Sequence, residues 1–211
     1  MADYWPGTVA GLLAQAQYET NRTDVTVNEY SSVLNGIITE HNHEAFWFNQ
    51  VSLTPSTVAS QEYYSSADLA AIAELHSLLG IILTSGSSRI PLVRKTQIEL
   101  DEMSVASGHT GQPCFYAYYN KRLRLYPIPG AVYVLTILAT EDYTALDEAT
   151  DTNDWLSNKL PFMFMLHKAC AHAYKFWFGQ YDKASIREGE ADRIMELMRT
   201  ETRRRESSTT L

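Results

Sequence analysis

Residues 121–131 read KRLRLYPIPGA and run without a break into 132–139, VYVLTILA. The first half alternates, with Leu123, Leu125 and Pro127 on one side and Arg124, Tyr126 and Ile128 on the other. Alternation at period two marks a half-covered strand. Pro127 and Pro129 have no amide hydrogen to give to a ladder, so they blunt the strand near its end and limit edge pairing. Residues 132–139 are apolar on both faces, as a strand covered on both sides would be. The two runs are therefore expected to pair as a β-hairpin over 123–139. Its turn would be IPGA, stiffened by Pro129 with Gly130 beside it.

Working outward toward the N-terminus, 115–120 (FYAYYN) alternates weakly as a strand, and 105–114 (VASGHTGQPC) reads as a loop. Thr96 precedes QIELDEM, a short helix with Glu99 at its third position, where a glutamate can reach back to the cap. Residues 89–95, RIPLVRK, read as an edge strand because Pro91 cannot donate. In 67–83 the alanine-rich first part favours a helix, while LLGIIL closes that helix or forms a strand. Residues 45–64, AFWFNQVSLTPSTVASQEYY, are dominated by aromatic and β-branched residues and read as strand, turn, strand. Two helices come before them. One lies at 7–20, with Pro6 near its first turn. The other lies at 27–45, where Tyr30, Val33, Leu34, Ile37 and Ile38 recur at helical spacing behind a Thr26 or Asn28 cap.

Toward the C-terminus, 155–178 (WLSNKLPFMFMLHKACAHAYKFWF) is apolar on nearly every face, so it should be buried between elements or subunits. Asn153 or Asp154 would cap it, Pro161 would sit in the first turn or mark a kink, and Gly179 would stop it. From Pro161 to Phe178 the helix would be about 27 Å long. Residues 183–205 form a charged helix whose apolar positions are Ala184, Ile186, Ala191, Ile194, Leu197 and Met198, a stripe that packs on one side only. The tail SSTTL is expected to be loose. The fold class is therefore α+β. It is mainly a helical bundle with a small antiparallel β-sheet or hairpin inserted at about 45–140. Residues 1–182 form the core, and 183–211 form an extended C-terminal helical arm and tail.

The net charge of −8 disfavours broad nucleic-acid binding. It is unevenly spread. No Lys or Arg occurs between Arg22 and Arg89, where seven acids fall, while 199–206 (RTETRRRE) holds four arginines against two acids. A one-sign field on one part and an arginine cluster on another suit head-to-tail or partner docking. Thirteen tyrosines, seven phenylalanines and four tryptophans serve either a small core of large side chains or extensive protein interface. Cys114 and Cys170 have no CxxC partner and sit among apolar residues, so both are expected to be buried free thiols in a reducing compartment. The opening MADYWPGTVAGLL lacks the basic region and long apolar run of a signal peptide, and no stretch reaches the length of a membrane span.

The search for chemistry finds little. His41 and His43 are two apart, so on a helix they do not face one another, and no further ligand accompanies them. His167 and His172 miss the HExxH spacing. Asp142, Asp147, Glu148, Asp151 and Asp154 cluster before the long helix. DTND lacks the glycine and terminal glutamate of a calcium loop, and acids at a helix start are favoured by the exposed amides there. SGSSR at 85–89 is a polar turn, and neither a GxxxxGK[ST] loop nor a GxSxG elbow is present. No catalytic, cofactor-binding or metal residue is assigned. The pattern favours an assembly component over an enzyme.

The order of motifs resembles the head-to-tail connector, or adaptor, proteins of tailed bacteriophages. The residues that carry the resemblance are a helix pair followed by an aromatic element, Phe46-Trp47-Phe48-Asn49-Gln50, and the segment Gly111-Gln112-Pro113-Cys114-Phe115-Tyr116. To these are added the signature Leu123-Arg124-Leu125-Tyr126-Pro127-Ile128-Pro129, with Gly130 beyond it, and the run of strand, polar segment and long helix over 132–178. The likeness covers roughly 27–200. It departs from the family pattern at Ala45, where an arginine often stands, and at RIPLVRK, which replaces a YxLPxD-type strand end.

The resemblance implies a structural virion protein forming a ring, commonly of twelve subunits, at the capsid–tail junction. The portal would lie on one side, and the tail, a nozzle or tail-fibre proteins on the other. Double-stranded DNA would pass through the channel in transient, non-specific proximity. Synthesis would be in the host bacterial cytoplasm, with no membrane and no cofactor. Ile186, Ile194, Leu197, Met198, Arg203, Arg204 and Arg205 are the candidate portal-docking residues, because a helix with so narrow a stripe and an arginine end suits docking onto carboxylates. The rival readings are an intracellular enzyme with an acidic site near 142–154, and a monomeric protein-binding or capsid-associated scaffold module.

Overall fold

The computed structural model describes residues 7–21, 26–69, 72, 75–105, 109–143, 145–147 and 151–208. Pro6, most of the NRTDVT linker, most of the alanine-rich run at 70–74, part of the 105–114 loop, Glu148 and the end of the SSTTL tail lie outside these residues. The chain divides into two compact units, one of residues 1–49 with 143–211 and one of residues 50–142.

The chain opens with α1 (Val9–Thr20) and α2 (Val27–His41). The Thr8 hydroxyl accepts the Gly11 amide at the start of α1, and Asn21 ends it at φ 54°. Thr26 and Glu29 form a reciprocal capping box on α2.

The chain then enters the second unit. Strands β1 (Gln50–Leu53), β2 (Tyr63–Tyr64), β3 (Leu75–Ser85), β4 (Ser88–Pro91) and β5 (Val93–Arg94) lead to α3 (Gln97–Ser104). Strands β6 (Thr110–Gly111), β7 (Phe115–Tyr119), β8 (Arg122–Tyr126), β9 (Ile128–Pro129) and β10 (Val134–Glu141) follow. One antiparallel sheet has the order β1-β10-β3-β4. A second has the order β2-β8-β7-β5, with β5 parallel to β7, and β6 pairs in parallel with β9. The proline-bearing segment does supply edges: β4 ends at Pro91 on one sheet and β5 borders the other. Leu75, Leu78, Ile81, Leu83, Leu135 and Ile137 of the first sheet share a core with Tyr64, Tyr116, Leu123 and Leu125 of the second. On the second sheet's other side, Leu100 of α3 packs with Ala117 and Tyr126. Thr96 and Glu99 make the capping box of α3 that the spacing predicts.

The hairpin expected over 123–139 does not form. β8 pairs with β7 around Asn120 and Lys121, both at positive φ (48° and 54°), whereas β10 lies in the other sheet between β1 and β3. The prolines therefore mark a crossing between sheets rather than a turn. After the cis Tyr126–Pro127 bond the chain makes the short β9 pairing, with the Ile128 amide donating to His109 O (2.9 Å) and the Gly130 amide to Gly111 O (2.8 Å). Gly130 is at an ordinary φ, and a Cβ there would lie 3.4 Å from Gly111. β10 is also not covered on both faces within its unit, since Val134 and Leu138 remain 44% and 41% exposed. Cys114 is exposed rather than buried, although its backbone pairs with Tyr126 and Val93 just before β7. Cys170 is buried, and burial pushes its thiol pKa up to about 12.

The chain returns to the first unit with α4 (Asp154–Ser157), α5 (Lys159–His172), a π-helical turn (Ala173–Trp177) and α6 (Tyr181–Ser208). The single helix expected over 161–178 is thus replaced by α5 and the π turn, with Phe178 N donating five residues back to Ala173 O. Asn153 caps α4 through its side chain, and Gly179 breaks the run at φ 63°. α5 is apolar all round because α1, α2, α4 and α6 pack around it. No helix among the described residues is long and apolar enough to cross a membrane.

Candidate functional site

The aromatic element Phe46-Trp47-Phe48 is a turn, not the strand expected from its composition. It closes because Asn49 ties it from within: its amide donates to Phe46 O (3.1 Å) and its side chain to Glu44 O (3.0 Å). Phe46 stacks on Phe48 at 5.3 Å, and both meet Trp155 of α4 edge-on, at 5.6 and 5.1 Å. Phe46 and Trp155 are fully buried, so these rings serve the subunit's own core and are not held in reserve for a partner.

The far end of α6 locks onto this turn. The Trp47 amide donates to the Thr202 hydroxyl (3.3 Å), which itself donates to Met198 O (2.9 Å), and the Arg205 guanidinium lies 5.1 Å above the Trp47 ring. Arg199 forks onto Glu44, with both bonds at 2.8 Å. This pair holds the Glu44 carboxyl below its usual range, the hydrogen bond from Arg199 being the largest cause. At the near end of α6, Arg187 pairs with Glu19 of α1 at 2.5 Å. The face of α6 turned to the core carries Ala184, Ala191, Met195, Met198 and Thr202.

The seven docking candidates separate accordingly. Met198 is fully buried and Ile194 packs against the core, whereas Ile186 (66%) and Leu197 (56%) face solvent. Arg203, Arg204 and Arg205 are all exposed at the helix end, the last two also pairing with Glu201.

In the second unit the LRLYPIP signature is a structural key. Leu123 and Leu125 are fully buried, Pro129 is buried, and the Tyr126 hydroxyl donates to Met103 O at 2.9 Å. Arg124, which alternation alone turns toward solvent, is 4% exposed beneath α3. Its Nε donates to Glu62 (2.6 Å), its guanidinium pairs with Asp101 and reaches Ser104 (3.3 Å), and it lies 5.2 Å over the Tyr63 ring. Burial opposes its charge, but the Asp101 and Glu62 bonds outweigh this and raise its pKa. The sequence signal for this site was the capped α3, which carries Asp101 one turn past its cap.

Five of the groups weighed for chemistry, His41, His167, His172, Asp142 and Asp151, have structural partners. His41 contacts Glu44 and meets Phe164 edge-on at 5.2 Å, His167 lies 3.3 Å from Arg187, and His172 sits against Phe176 and Trp177. Asp142 binds His76 and Lys121, at 3.0 and 3.1 Å, and Asp151 accepts the Asp147 amide. Among the described residues no three His, Cys, Asp or Glu side chains come together as a metal site.

Interlocking turns, paired charges and an externally charged terminal helix define a structural component. A family model described as SU10 adaptor protein matches residues 7–211, and the chain belongs to that family. It is a head-to-tail connector of a tailed bacteriophage, a structural ring adaptor of the virion rather than an enzyme or a scaffold, and it assembles with capsid and tail components. No curated protein matches the chain.

Proposed function

We propose that twelve copies of this chain close a ring at the capsid–tail junction, with the portal on one side and the tail, a nozzle or tail-fibre proteins on the other. The observation that carries this reading is the family match across residues 7–211, which includes both units and α6. DNA passes through the ring without being bound: a net charge of −8 keeps the duplex from sticking, because phosphates are repelled rather than neutralised. The subunit is made in the host bacterial cytoplasm and ends in the virion.

Portal attachment uses the end of α6, where Arg203 and Arg205 flank Arg204. Exposed arginine pairs such as Arg204 and Arg205 with Glu201 contribute little in isolation, so they exchange readily for carboxylates on a partner. The experiment is co-sedimentation of the purified full-length chain with DNA-filled heads that lack it. The reading expects binding by the wild type and loss of binding by Arg203→Glu/Arg204→Glu with the helical signal unchanged. Binding by the variant as strong as that of the wild type would remove the arginine end from the portal contact.

A further inference from the structure

The buried stripe of α6 changes character along its length. From Ala184 through Ala191 and Met195 to Met198 it is apolar and belongs to the helical core. Beyond Met198 the sequence runs RTETRRRESSTT, so 199–210 hold no apolar residue. The inward face continues as Thr202, which is 6% exposed, and Arg205, which reaches Trp47. Hydrophobic burial therefore does not hold the last turns of α6, and a charged helix end with nothing to pack against frays.

Polar contacts hold it instead, at residues 199, 202 and 205, and they fall on the turn at 44–49. Arg199 forks onto Glu44, which is 19% exposed, with two bonds of 2.8 Å. The Thr202 hydroxyl accepts from the Trp47 amide at 3.3 Å and donates to Met198 O at 2.9 Å. The Arg205 guanidinium lies 5.1 Å from the centre of the Trp47 ring. The turn itself is a firm base, because Phe46 and Phe48 pack on Trp155 and Asn49 ties the loop to Glu44 O and Phe46 O. A two-bond fork fixes direction as well as position. Arg203 and Arg204 sit about 100° and 200° round the helix from Thr202, and both are exposed.

From this arrangement we infer that the 44–49 turn is a clamp that sets the direction of the arginine end of α6. Glu44, Trp47, Thr202 and Arg205 then govern attachment to a carboxylate-bearing partner without touching it. The inference rests on the attachment reading above and divides its arginines. Arg199 and Arg205 are positioning residues, whereas Arg203 and Arg204 meet the partner. A partner that binds a frayed end must order it first, and the lost entropy weakens binding. The clamp orders that end in advance.

The test uses the full-length protein and DNA-filled heads that lack it. Amide hydrogen exchange compares protection of 199–208 with that of 184–198, and co-sedimentation gives the affinity for heads. Glu44→Gln is the decisive variant. It removes a negative charge, which by electrostatics alone would help a basic end to bind carboxylates, so weaker binding reports lost position. The inference expects exchange in 199–208 to quicken by at least about tenfold in Glu44→Gln and about threefold in Arg205→Ala, with 184–198 unchanged and head binding weaker by similar factors. Arg205→Lys keeps a cation over Trp47 and should retain both protection and binding. Arg203→Glu/Arg204→Glu should lose binding while 199–208 stay protected. Unchanged protection in Glu44→Gln and Arg205→Ala overturns the clamp. Lost protection with binding as strong as that of the wild type overturns its role in attachment and leaves the attachment reading standing. Full binding by Arg203→Glu/Arg204→Glu overturns the attachment reading, and this inference with it.

Discussion

Arg124 provides a sharp test of how the second unit is held. The side chain is 4% exposed and bonded to Glu62, Asp101 and Ser104 under α3. Its partners are wetter, with Glu62 at 24% and Asp101 at 57% exposure. The two sides of the interaction should therefore respond differently to removal. Arg124→Met keeps the volume and leaves two carboxylates that water can reach, so its cost is that of lost charged hydrogen bonds, about 1–2 kcal/mol. Glu62→Gln with Asp101→Asn leaves a buried guanidinium without a counter-charge. Breaking a fully buried pair in this way costs 3–5 kcal/mol, and water at the Asp101 end lowers that to about 2–4 kcal/mol. All four tryptophans lie outside 50–142, so tryptophan fluorescence does not report on this unit. Amide hydrogen exchange of β7 and β8 does, and gives the local opening free energy. The carboxylate pair should lower protection more than Arg124→Met. Equal losses, or a larger loss for Arg124→Met, would refute the argument from desolvation.

Lys121→Gly should stabilise the β7–β8 hairpin by about 0.5 kcal/mol, since it relieves a positive φ and its pair with Asp142 is exposed; a loss of stability in chemical denaturation would contradict the turn assignment. Gly130→Ala should be neutral within about 0.5 kcal/mol because its φ is ordinary, whereas Gly130→Val should press its branches on Gly111 and lower the melting temperature. Burial holds His41, His167 and His172 below their usual pKa. The unfolded chain therefore takes up protons first as pH falls below about 6.5, and stability present above that value declines down to the folded pKa values. Thermal melts from pH 7.5 to 5.5 should fall, and His→Gln at the three positions should flatten the trend. Deleting 183–211 removes Ala184, Ala191, Met195 and Met198 from the helical core and should abolish cooperative unfolding of that unit, whereas deleting 206–211 should not; circular dichroism melts separate the two.

The helical elements were legible because their signals are local. Thr26 with Glu29 and Thr96 with Glu99 fix helix starts by short-range bonding, and the all-round apolarity of 159–172 states its own burial. The β unit was legible as strands but not as pairings. The run at 121–139 contains two good strands close in sequence, and proximity suggested a hairpin, yet nothing local reveals that β10 finds β3, some fifty residues earlier. The positive-φ pair at Asn120 and Lys121 was a weak turn signal, because lysine seldom takes that conformation. Aromatic content misled at 46–48, where strand propensity yields to packing against Trp155, a contact distant in sequence. On α6, period alone mixed the inner and outer faces: Ile194 and Met198 turn inward while Ile186 and Leu197 turn outward. Met195, Thr202 and the Glu44–Arg199 fork became visible only with the bundle assembled.

The most direct measurement of the central claim is cryo-electron microscopy of the purified phage particle, with this chain located in the density. The account predicts a closed ring of twelve copies between portal and tail, with the arginine end of α6 directed to the portal. Density for this chain as isolated copies, inside the capsid shell, or absent from the capsid–tail junction would contradict it.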